Sequence, residues 1–319
     1  MLKGEYRTVQ EFISAAIQNQ IYLSKQPETQ LSTFNTPKFH IPNNSVVAKS
    51  GFVPSLELRD YKIETQDSKI KKTKNTLSGF WNKFLPVKIT LRVLANMQNE
   101  TKEPILLDLL RENASNEARR LGQDLVRKEK GSGRRRGDRL FTGLPIKRNK
   151  EKSRLRFKSH FVGSLNREKT DGMPGTLGLI QIFKRNNGKN YVSITERGLH
   201  FSKIPNSIID NNDFSSPLSE EEQAFLLGEI RSQLPSEYEA ILSVLRLIFK
   251  GNIETKSLLS ELEGTFPDWS KNKLTIFLTG MLNRIADLGL VMRTFDSLSF
   301  KYEVSEKGKL IIKENVGEE

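Results

Sequence analysis

Apolar residues near the start of the chain recur every three to four positions, the spacing of one face of an α-helix. They run from Val9 to Ile21 and predict one amphipathic helix. The next segment is interrupted by four prolines between Pro27 and Pro54 and holds only short apolar pieces, which favours extended structure and turns. Residues 1–76 are therefore predicted to be a helix followed by a proline-punctuated extended region.

Helical spacing returns in residues 77–113, which we predict to be a helical connector. The apolar residues fall into two runs, from Phe80 to Leu94 and from Ile105 to Leu110. Another helix is predicted from Ser115, a favourable N-cap residue, to about Lys130. The tripeptide Gly131-Ser132-Gly133 ends it.

Three short motifs occur twice, in the same order, in the second half of the chain. The first, Gly-x-Leu-Asn-Arg, starts at Gly163 and again at Gly280. The second, Leu-Gly-Leu followed by a β-branched residue, is centred on Gly178 and Gly289. The third motif has four positions: Thr or Ser, then Glu, then Arg or Lys, then Gly. It ends at Gly198 and at Gly308. Offsets of 117, 111 and 110 residues place about six extra residues in the first copy, and such ordered self-similarity predicts a repeated fold unit.

Each copy is predicted to contain a helix that ends at a glycine, then a strand, a turn and a second strand. In the first copy the turn contains Asn187-Gly188, residues that favour the positive φ of a tight hairpin. In the second copy, residues 295–299 give a weaker hairpin signal. Three helices followed by a hairpin that ends in the third motif resemble the winged helix-turn-helix domains of prokaryotic regulators. The resemblance covers about 113–313, roughly two thirds of the chain.

The resemblance implies a mainly α fold with small β-hairpins. Two tandem winged-helix domains, a basic one at 114–204 and an acidic one at 205–319, would follow the helical and irregular N-terminal region. The third helix is the one that such families use for DNA recognition. In the first unit it is predicted from about Ser153 to Asn166, with the second helix near Arg139 to Ile146.

In the acidic unit, helices are predicted from Ser236, over 256–263 and from Ser270. The third of these is mostly apolar, and apolar residues beyond the needs of a core indicate a partner surface. This pattern favours protein docking or dimerisation for the acidic unit over a second, independent DNA reader. Tandem reading stays open because Lys271, Lys273 and Arg284 lie on that helix.

Positive charge is concentrated in one part of the sequence. Residues 114–169 contain 18 Lys and Arg against 6 Asp and Glu, a net charge of +12 out of the whole chain's +13. Residues 205–319 contain 12 against 19, a net charge of −7. A local excess of cations favours a polyphosphate partner, because each neutralised phosphate releases counterions. A solvated charged loop without a partner is the alternative.

The candidate DNA-binding residues lie in an arginine-rich loop, in the third helix of the basic unit and in its hairpin. A helix fits the major groove of B-DNA, where Arg and Lys pair with guanine edges and neighbouring cations hold phosphates. The candidates are Arg134, Arg135, Arg136, Arg139, Lys152, Arg154, Arg156, Lys158, Asn166, Arg167, Lys184, Arg185 and Lys189.

Other chemistry has little support in the sequence. The absence of cysteine removes disulfides, Cys-ligated zinc and thiol nucleophiles, and the three histidines occur singly. We therefore predict no cofactor and no metal site. Because no apolar run approaches the roughly 18 residues that span a bilayer, we predict a cytoplasmic protein without membrane contact.

A metal-dependent nuclease of the PD-(D/E)xK type is the enzymatic alternative. Such an enzyme needs carboxylates on adjacent strands and a nearby lysine to hold a cation and activate water. Asp60-Tyr61-Lys62 and Glu100-Thr101-Lys102 match the second half of that pattern, but no suitably placed Pro-Asp precedes either. We therefore predict that the protein is not an enzyme, with an activity in the proline-punctuated N-terminal region as the alternative.

Together these features predict a double-stranded DNA-binding protein whose acidic winged helix forms a homodimer or holds a protein partner. Its setting is a transcription regulator or the DNA-reading component of a prokaryotic complex for defence, plasmid maintenance or replication. A nuclease with winged-helix recognition domains and a purely protein-interacting scaffold are the alternatives.

Overall fold

Helices dominate the computed structural model, and short antiparallel hairpins separate them. It describes residues 56–65, 76–135, 137–147, 151–166, 169–266, 268–296 and 299–315, all within the unit 48–319. The helix predicted from Val9 to Ile21 and most of the proline-punctuated segment lie outside the described residues. The prediction of a mainly helical fold with small β-hairpins is confirmed at that level.

The N-terminal half contains a helix, a short strand and two further helices before its hairpins. These are α1 (Leu85–Thr101), β1 (Ile105–Leu106), α2 (Leu107–Lys128) and α3 (Glu151–Phe157), which continues as the π-helical turn Lys158–Val162. They are followed by β2 (Ser164–Asn166), β3 (Lys169–Asp171), α4 (Met173–Thr176), β4 (Ile180–Lys184), β5 (Asn190–Ile194) and α5 (Glu196–Lys203). Strand β5 pairs with both β1 and β4, all antiparallel.

The C-terminal half begins with an additional helix and then has a similar order, without the β2–β3 hairpin and α4. Its elements are α6 (Glu220–Gln233), α7 (Pro235–Phe249), α8 (Thr255–Thr265), α9 (Lys271–Asp287), β6 (Val291–Asp296), β7 (Ser299–Val304) and α10 (Glu306–Glu314). Glu254, between α7 and α8, forms an isolated antiparallel bridge with Lys301 of β7, as β1 pairs with β5. Helix, extended residues, helix, helix and hairpin therefore occur twice along the chain.

Three helix assignments differ from the prediction. Helix α2 begins at Leu107, so the predicted boundary at Ala114 falls inside a continuous helix, and β1 from the predicted connector belongs to the sheet of β5. The stretch near Arg139 to Ile146, predicted as a helix, forms successive turns, because Gly143 adopts φ of 90° and Pro145 follows it. Helix α3 and its π-turn end at Val162, because Gly163 leaves the helical conformation with φ of 110°.

The second and third repeated motifs have the same geometry in both copies. Gly178 and Gly289 adopt φ of 69° and 71° at the end of a helix. The third motif then caps α5 and α10: Thr195 Oγ1 accepts a hydrogen bond from Gly198 N and donates one to Gly178 O. Ser305 Oγ makes the same two contacts with Gly308 N and Gly289 O. In both halves, the second and third motifs therefore form the same arrangement, in which a helix ends, a hairpin follows and a capped helix begins.

The first motif is not structurally equivalent in its two copies. Gly163 ends a helix, whereas Gly280 lies in the middle of α9. At Gly280 a Cβ would collide with the carbonyl oxygen of Gly79 and come within 2.6 Å of Gly79 Cα. Glycine is required there because the turn at 78–81 packs directly on the helix backbone.

A buried ion pair fixes the segment 77–84 to the C-terminal half. Arg284 of α9 and Glu237 of α7 are both fully buried and 2.8 Å apart. Arg284 also donates to the carbonyls of Ser78 and Trp81, and Leu77 N donates to Glu237 Oε2. We call these residues the Arg284 cluster.

Two more buried cations, Lys88 and Arg92, lie one turn apart on α1. We call these two residues and their partners the Lys88–Arg92 cluster. Lys88 Nζ contacts Glu222 Oε1 at 2.9 Å and the carbonyls of Phe201 and Ile204. Arg92 binds both oxygens of Asp210 and the carbonyls of Leu56, Ser202 and Ile204. The cations thus bind carbonyls left unpaired at the C-terminal end of α5. Burial lowers the pKa of Lys88 to about 8, although Glu222 opposes the shift.

Alanine substitutions at two helical glycines should have opposite effects on stability. Gly280→Ala should lower the free energy of unfolding by about 1–3 kcal/mol because the methyl group forces α9 away from Gly79. Gly228→Ala, in α6, places its methyl group in open space and should raise the free energy of unfolding by up to about 1 kcal/mol. Urea denaturation measures both, and a neutral Gly280→Ala would contradict the close packing.

Removal of the buried guanidinium of Arg284 should strongly lower the free energy of unfolding. Arg284→Met leaves the Glu237 carboxylate buried without a counter-ion, which costs about 3–5 kcal/mol. Arg127→Met is the matched control, because Arg127 pairs with Asp124 on the surface and should lose less than about 1 kcal/mol. Equal losses in the two variants, measured by thermal or urea unfolding, would refute a structural role for the Arg284 cluster.

Candidate nucleic-acid interface

Helix α3 has one narrow exposed face. Lys152, Leu155, Arg156 and Ser159 are exposed and follow i, i+3, i+4 and i+7 spacing, which places them on one side of the helix. Phe157, on another side, is buried. Within the described ranges, neither Lys152 nor Arg156 forms an ion pair. Two uncompensated cations therefore project from this face.

The other two cations of α3 point towards α2. Arg154 bonds to Glu112 Oε2 at 2.5 Å, Asn116 Oδ1 at 2.9 Å and Ser115 Oγ at 3.2 Å. Lys158 pairs with the other oxygen of Glu112. The sequence predicted both as DNA-binding residues, and in the structure they hold α3 against α2. One carboxylate offsets one of their two positive charges.

His160 lies in the π-turn at the C-terminal end of this face, with its ring 6.0 Å from that of Phe80. Burial lowers the pKa of His160 below its usual value, and the nearby Arg156 guanidinium lowers it further, while Asp171 opposes the shift. The imidazole is therefore mainly neutral at pH 7. It adds little positive charge to the exposed face.

The β4–β5 hairpin carries three predicted residues. Its turn has Gly188 at φ of 76°, so the predicted tight turn is confirmed. Lys184 and Lys189 are exposed on either side of the turn and make no ion pair in the described part of the chain. Arg185 stacks on the ring of Tyr191 at 4.4 Å and lies 3.8 Å from Glu103. The hairpin thus presents two free cations and one that is partly compensated.

An additional hairpin, β2–β3, lies between the π-turn that ends α3 and the β4–β5 hairpin. It leaves the π-turn at Gly163 and returns at Gly172, where a Cβ would lie 2.7 Å from Gly163 Cα. Arg111 of α2 donates to the carbonyl of Gly163 at 2.7 Å, and Thr170 Oγ1 accepts from Ile182 N of β4 at 2.9 Å. The predicted residue Asn166 is exposed on β2, whereas Arg167 lies outside the described residues.

The arginine-rich loop packs on the C-terminal half. Arg134 donates to the carbonyls of Phe214 and Ser215 and pairs with Glu129. Arg135 stacks over the ring of Phe295 in β6 at 4.5 Å. Arg139 is exposed beside a cleft of about 240 Å³ between the halves of the described unit. Arg136 lies outside the described residues. Arg134 and Arg135 therefore make structural contacts, which their position in a charged loop did not indicate.

The apolar residues of α9 are largely used within the chain. Its exposed residues are polar and lie in the first half of the helix, at Lys271, Asn272, Lys273, Thr275 and Thr279, while residues 280–285 are buried. The segment 77–84 covers this C-terminal part through the Arg284 cluster and Gly79. The apolar stripe therefore no longer argues for an external partner. Lys273 lies over the ring of Trp269 at 3.9 Å, which orients it at the start of the helix.

The carboxylates considered for a nuclease do not form a metal site in the described ranges. Glu100 pairs with Arg59, and Lys102 donates to the carbonyl of Lys62. No group of three or more His, Asp or Glu among the described residues could hold a metal ion. Across the same ranges, every helix is too short or too polar to cross a bilayer.

The Glu112 contacts should stabilise the N-terminal half. Glu112→Gln removes the carboxylate that faces both Arg154 and Lys158, and the half-exposed position predicts a loss of about 1 kcal/mol of unfolding free energy. Asp108→Asn is the matched control on α2, because Asp108 is 81% exposed and, among the residues that the structure describes, pairs only with Arg111. Its loss should stay below about 0.5 kcal/mol. Denaturation at low and high salt tests both variants. The difference in unfolding free energy between wild type and Glu112→Gln should shrink markedly as salt rises, whereas that of Asp108→Asn should change little.

Comparison of the chain with protein-family models, with curated proteins and with solved structures finds no match. The function of this protein must therefore be inferred from its own element order, packing and surface charge.

Proposed function

We propose that this protein binds double-stranded DNA through the first of two winged-helix modules, with α3 as the recognition helix and the β4–β5 hairpin as the wing. The observation that supports it best is the exposed, uncompensated cationic face of a third helix that precedes a hairpin. Lys152 and Arg156 form that face, and Lys184 and Lys189 extend the charge onto the hairpin.

The element order supports assigning two winged-helix modules. In the first, α1, α2 and α3 precede the β4–β5 hairpin; in the second, α7, α8 and α9 precede the β6–β7 hairpin. The first module would start at α1, near Leu85, rather than at Ala114. Its third helix would be divided by the additional hairpin, since α4 leads into Gly178 as the last turn of α9 leads into Gly289.

Electrostatics favour the first module as the main DNA contact. An exposed lysine or arginine without a carboxylate partner loses little on binding a phosphate, and it releases a counterion from the DNA. Arg154 and Lys158 would instead have to exchange Glu112 for phosphate. Lys152, Arg156, Lys184 and Lys189 are therefore the residues on which affinity should depend most, and Arg156 is the best placed to read a guanine edge.

For the second module we propose homodimerisation or protein docking, with tandem DNA reading as the other possibility. Phe249 of α7 and Leu310 of α10 are 61% and 59% exposed, and large exposed apolar side chains are typical of interaction surfaces when they cluster. The exposed Lys271 and Lys273 at the start of α9 favour the tandem reading. Replacing both lysines by alanine distinguishes these roles, because only tandem reading predicts weaker DNA binding.

The biological setting that we propose is a cytoplasmic transcription regulator or the DNA-reading component of a prokaryotic complex for defence, plasmid maintenance or replication. No enzymatic step is needed for this role. The alternatives are a metal-dependent nuclease and a purely protein-interacting scaffold. Incubation with plasmid and Mg²⁺ or Mn²⁺ separates them, since a binding protein shifts the plasmid uncut, a nuclease cuts it and a scaffold does neither.

Removing the two free cations of α3 should weaken DNA binding without unfolding the protein. The double variant Lys152→Ala/Arg156→Ala should bind duplex DNA at least about 10-fold more weakly, with a smaller dependence of affinity on salt. Fluorescence anisotropy over a series of salt concentrations measures both quantities, and thermal unfolding checks that the fold is retained.

The matched control removes the same charge from the acidic half. Lys250 and Lys313 are exposed at the C-terminal end of α7 and on α10, both in the acidic half. Lys250→Ala/Lys313→Ala should change the affinity less than about 2-fold, because neither lysine belongs to the proposed interface and surface charges are screened at moderate salt. Full affinity of the α3 variant, or an equal loss in the control, would contradict the proposed interface.

A further inference from the structure

The exposed face of α3 contains one large apolar residue between its cations. Leu155 is 54% exposed, and its neighbours on the same face are Lys152, Arg156 and Ser159. The apolar residues that anchor this helix, Phe157 and Phe161, are buried on other sides. Leu155 therefore does not contribute to the core in proportion to its size, and its surface is presented with the cations.

This position has a chemical consequence if the face enters a major groove. There a thymine exposes its C5 methyl group, the main apolar feature that the groove offers, and apolar side chains recognise it. An alanine or polar residue at 155 would contact phosphates or water equally well. A leucine at this position strengthens binding, relative to those residues, only by covering an apolar group of the DNA.

We infer that Leu155 is a specificity-determining residue that contacts a pyrimidine C5 methyl group, and that the preferred DNA contains thymine opposite the first turns of α3. The inference rests on the proposed function, because it requires α3 to be the recognition helix. Neighbouring Arg156 and Lys152 would hold the helix in the groove while Leu155 discriminates between bases. Leu155 thus supplies base discrimination and the two cations supply affinity, although all three lie on one face of α3.

The size of the effect follows from the apolar surface involved. Burying one methyl group is worth about 4-fold in an equilibrium constant. Alternating poly(dA-dT) and poly(dA-dU) duplexes differ only by that methyl group at each pyrimidine. The full-length protein should bind the thymine duplex about 4-fold more tightly in a competition assay at fixed salt, or more where two methyl groups are covered.

Variants of the full chain separate this contact from differences in DNA stiffness. In Leu155→Ala the preference for poly(dA-dT) should fall to near 1-fold, while binding to poly(dA-dU) changes less than about 2-fold. Leu58→Ala, at an exposed leucine that precedes α1, should keep the wild-type preference. Because Leu155 is exposed, its variant should unfold at the wild-type temperature, which circular dichroism checks.

A second pair of duplexes gives an independent readout. In poly(dG-dC), replacing cytosine by 5-methylcytosine adds a methyl group at the equivalent groove position, and it should strengthen wild-type binding but not that of Leu155→Ala. Equal preference in wild type and Leu155→Ala for both pairs would overturn the leucine contact and leave DNA binding intact. Absence of binding to every duplex at low salt would overturn the proposed function and this inference together.

Discussion

Buried cations that bind carbonyl oxygens and carboxylates are the interaction on which the rest of this structure depends. A charged side chain taken out of water is tolerated only when nearly all its hydrogen-bonding groups are satisfied. Arg284 achieves this with Glu237 of α7 and with Ser78 and Trp81 of the segment before α1, so that with α9 three separate parts of the chain are joined. If any one of these parts unfolds locally, a buried charged or polar group in the remaining parts loses its partner. The segment before α1 and the C-terminal half are therefore expected to unfold together.

The Lys88–Arg92 cluster extends this coupling across the middle of the chain. Its cations lie on α1, and their partners Asp210 and Glu222 lie after α5. A cut between residues 203 and 205, which the charge difference between the halves suggests as a domain boundary, would separate each cation from its carboxylate. The two halves differ in charge, but they share their buried polar contacts. Point substitutions in the full chain are consequently the sound way to assign function to either half.

Local sequence signals predicted the parts of the fold that depend on local conformation. The Asn187-Gly188 turn and the caps at Thr195 and Ser305 need only a few neighbouring residues, and both hairpins were found where they were predicted. Long-range packing explains the failures. Gly280 is a glycine because of Gly79, far away in sequence, whereas Gly163 has a different role at the end of a helix. Likewise, the start of α2 at Leu107 was hidden because β1 separates it from α1 by so few residues.

The candidate site was predictable in location but not in detail. Charge density indicated α3 and its hairpin, and the helical period alone would place Lys152 and Arg156 together. Whether Arg154 and Lys158 face solvent depends on Glu112, which lies before the predicted start of its helix at Ser115. The buried Lys88 and Arg92 did leave a signal, since they are one turn apart in the mostly apolar first half of α1. Cations at that spacing within an apolar stripe indicate carbonyl or carboxylate partners more often than solvent.

The glycine contact between Gly163 and Gly172 has a consequence for how this chain can vary. Because the two ends of the additional hairpin meet at a neck held by Arg111, and Thr170 ties β3 to β4, the helix before the neck and the strands after it keep their positions when residues between Leu165 and Thr170 change. Loop length adds little to the entropy of closure once the ends are fixed. The far end of the hairpin can therefore lengthen, shorten or change composition with little effect on the register of α3 or β4. It is a place where new contacts can be acquired without altering the helix that carries Lys152 and Arg156.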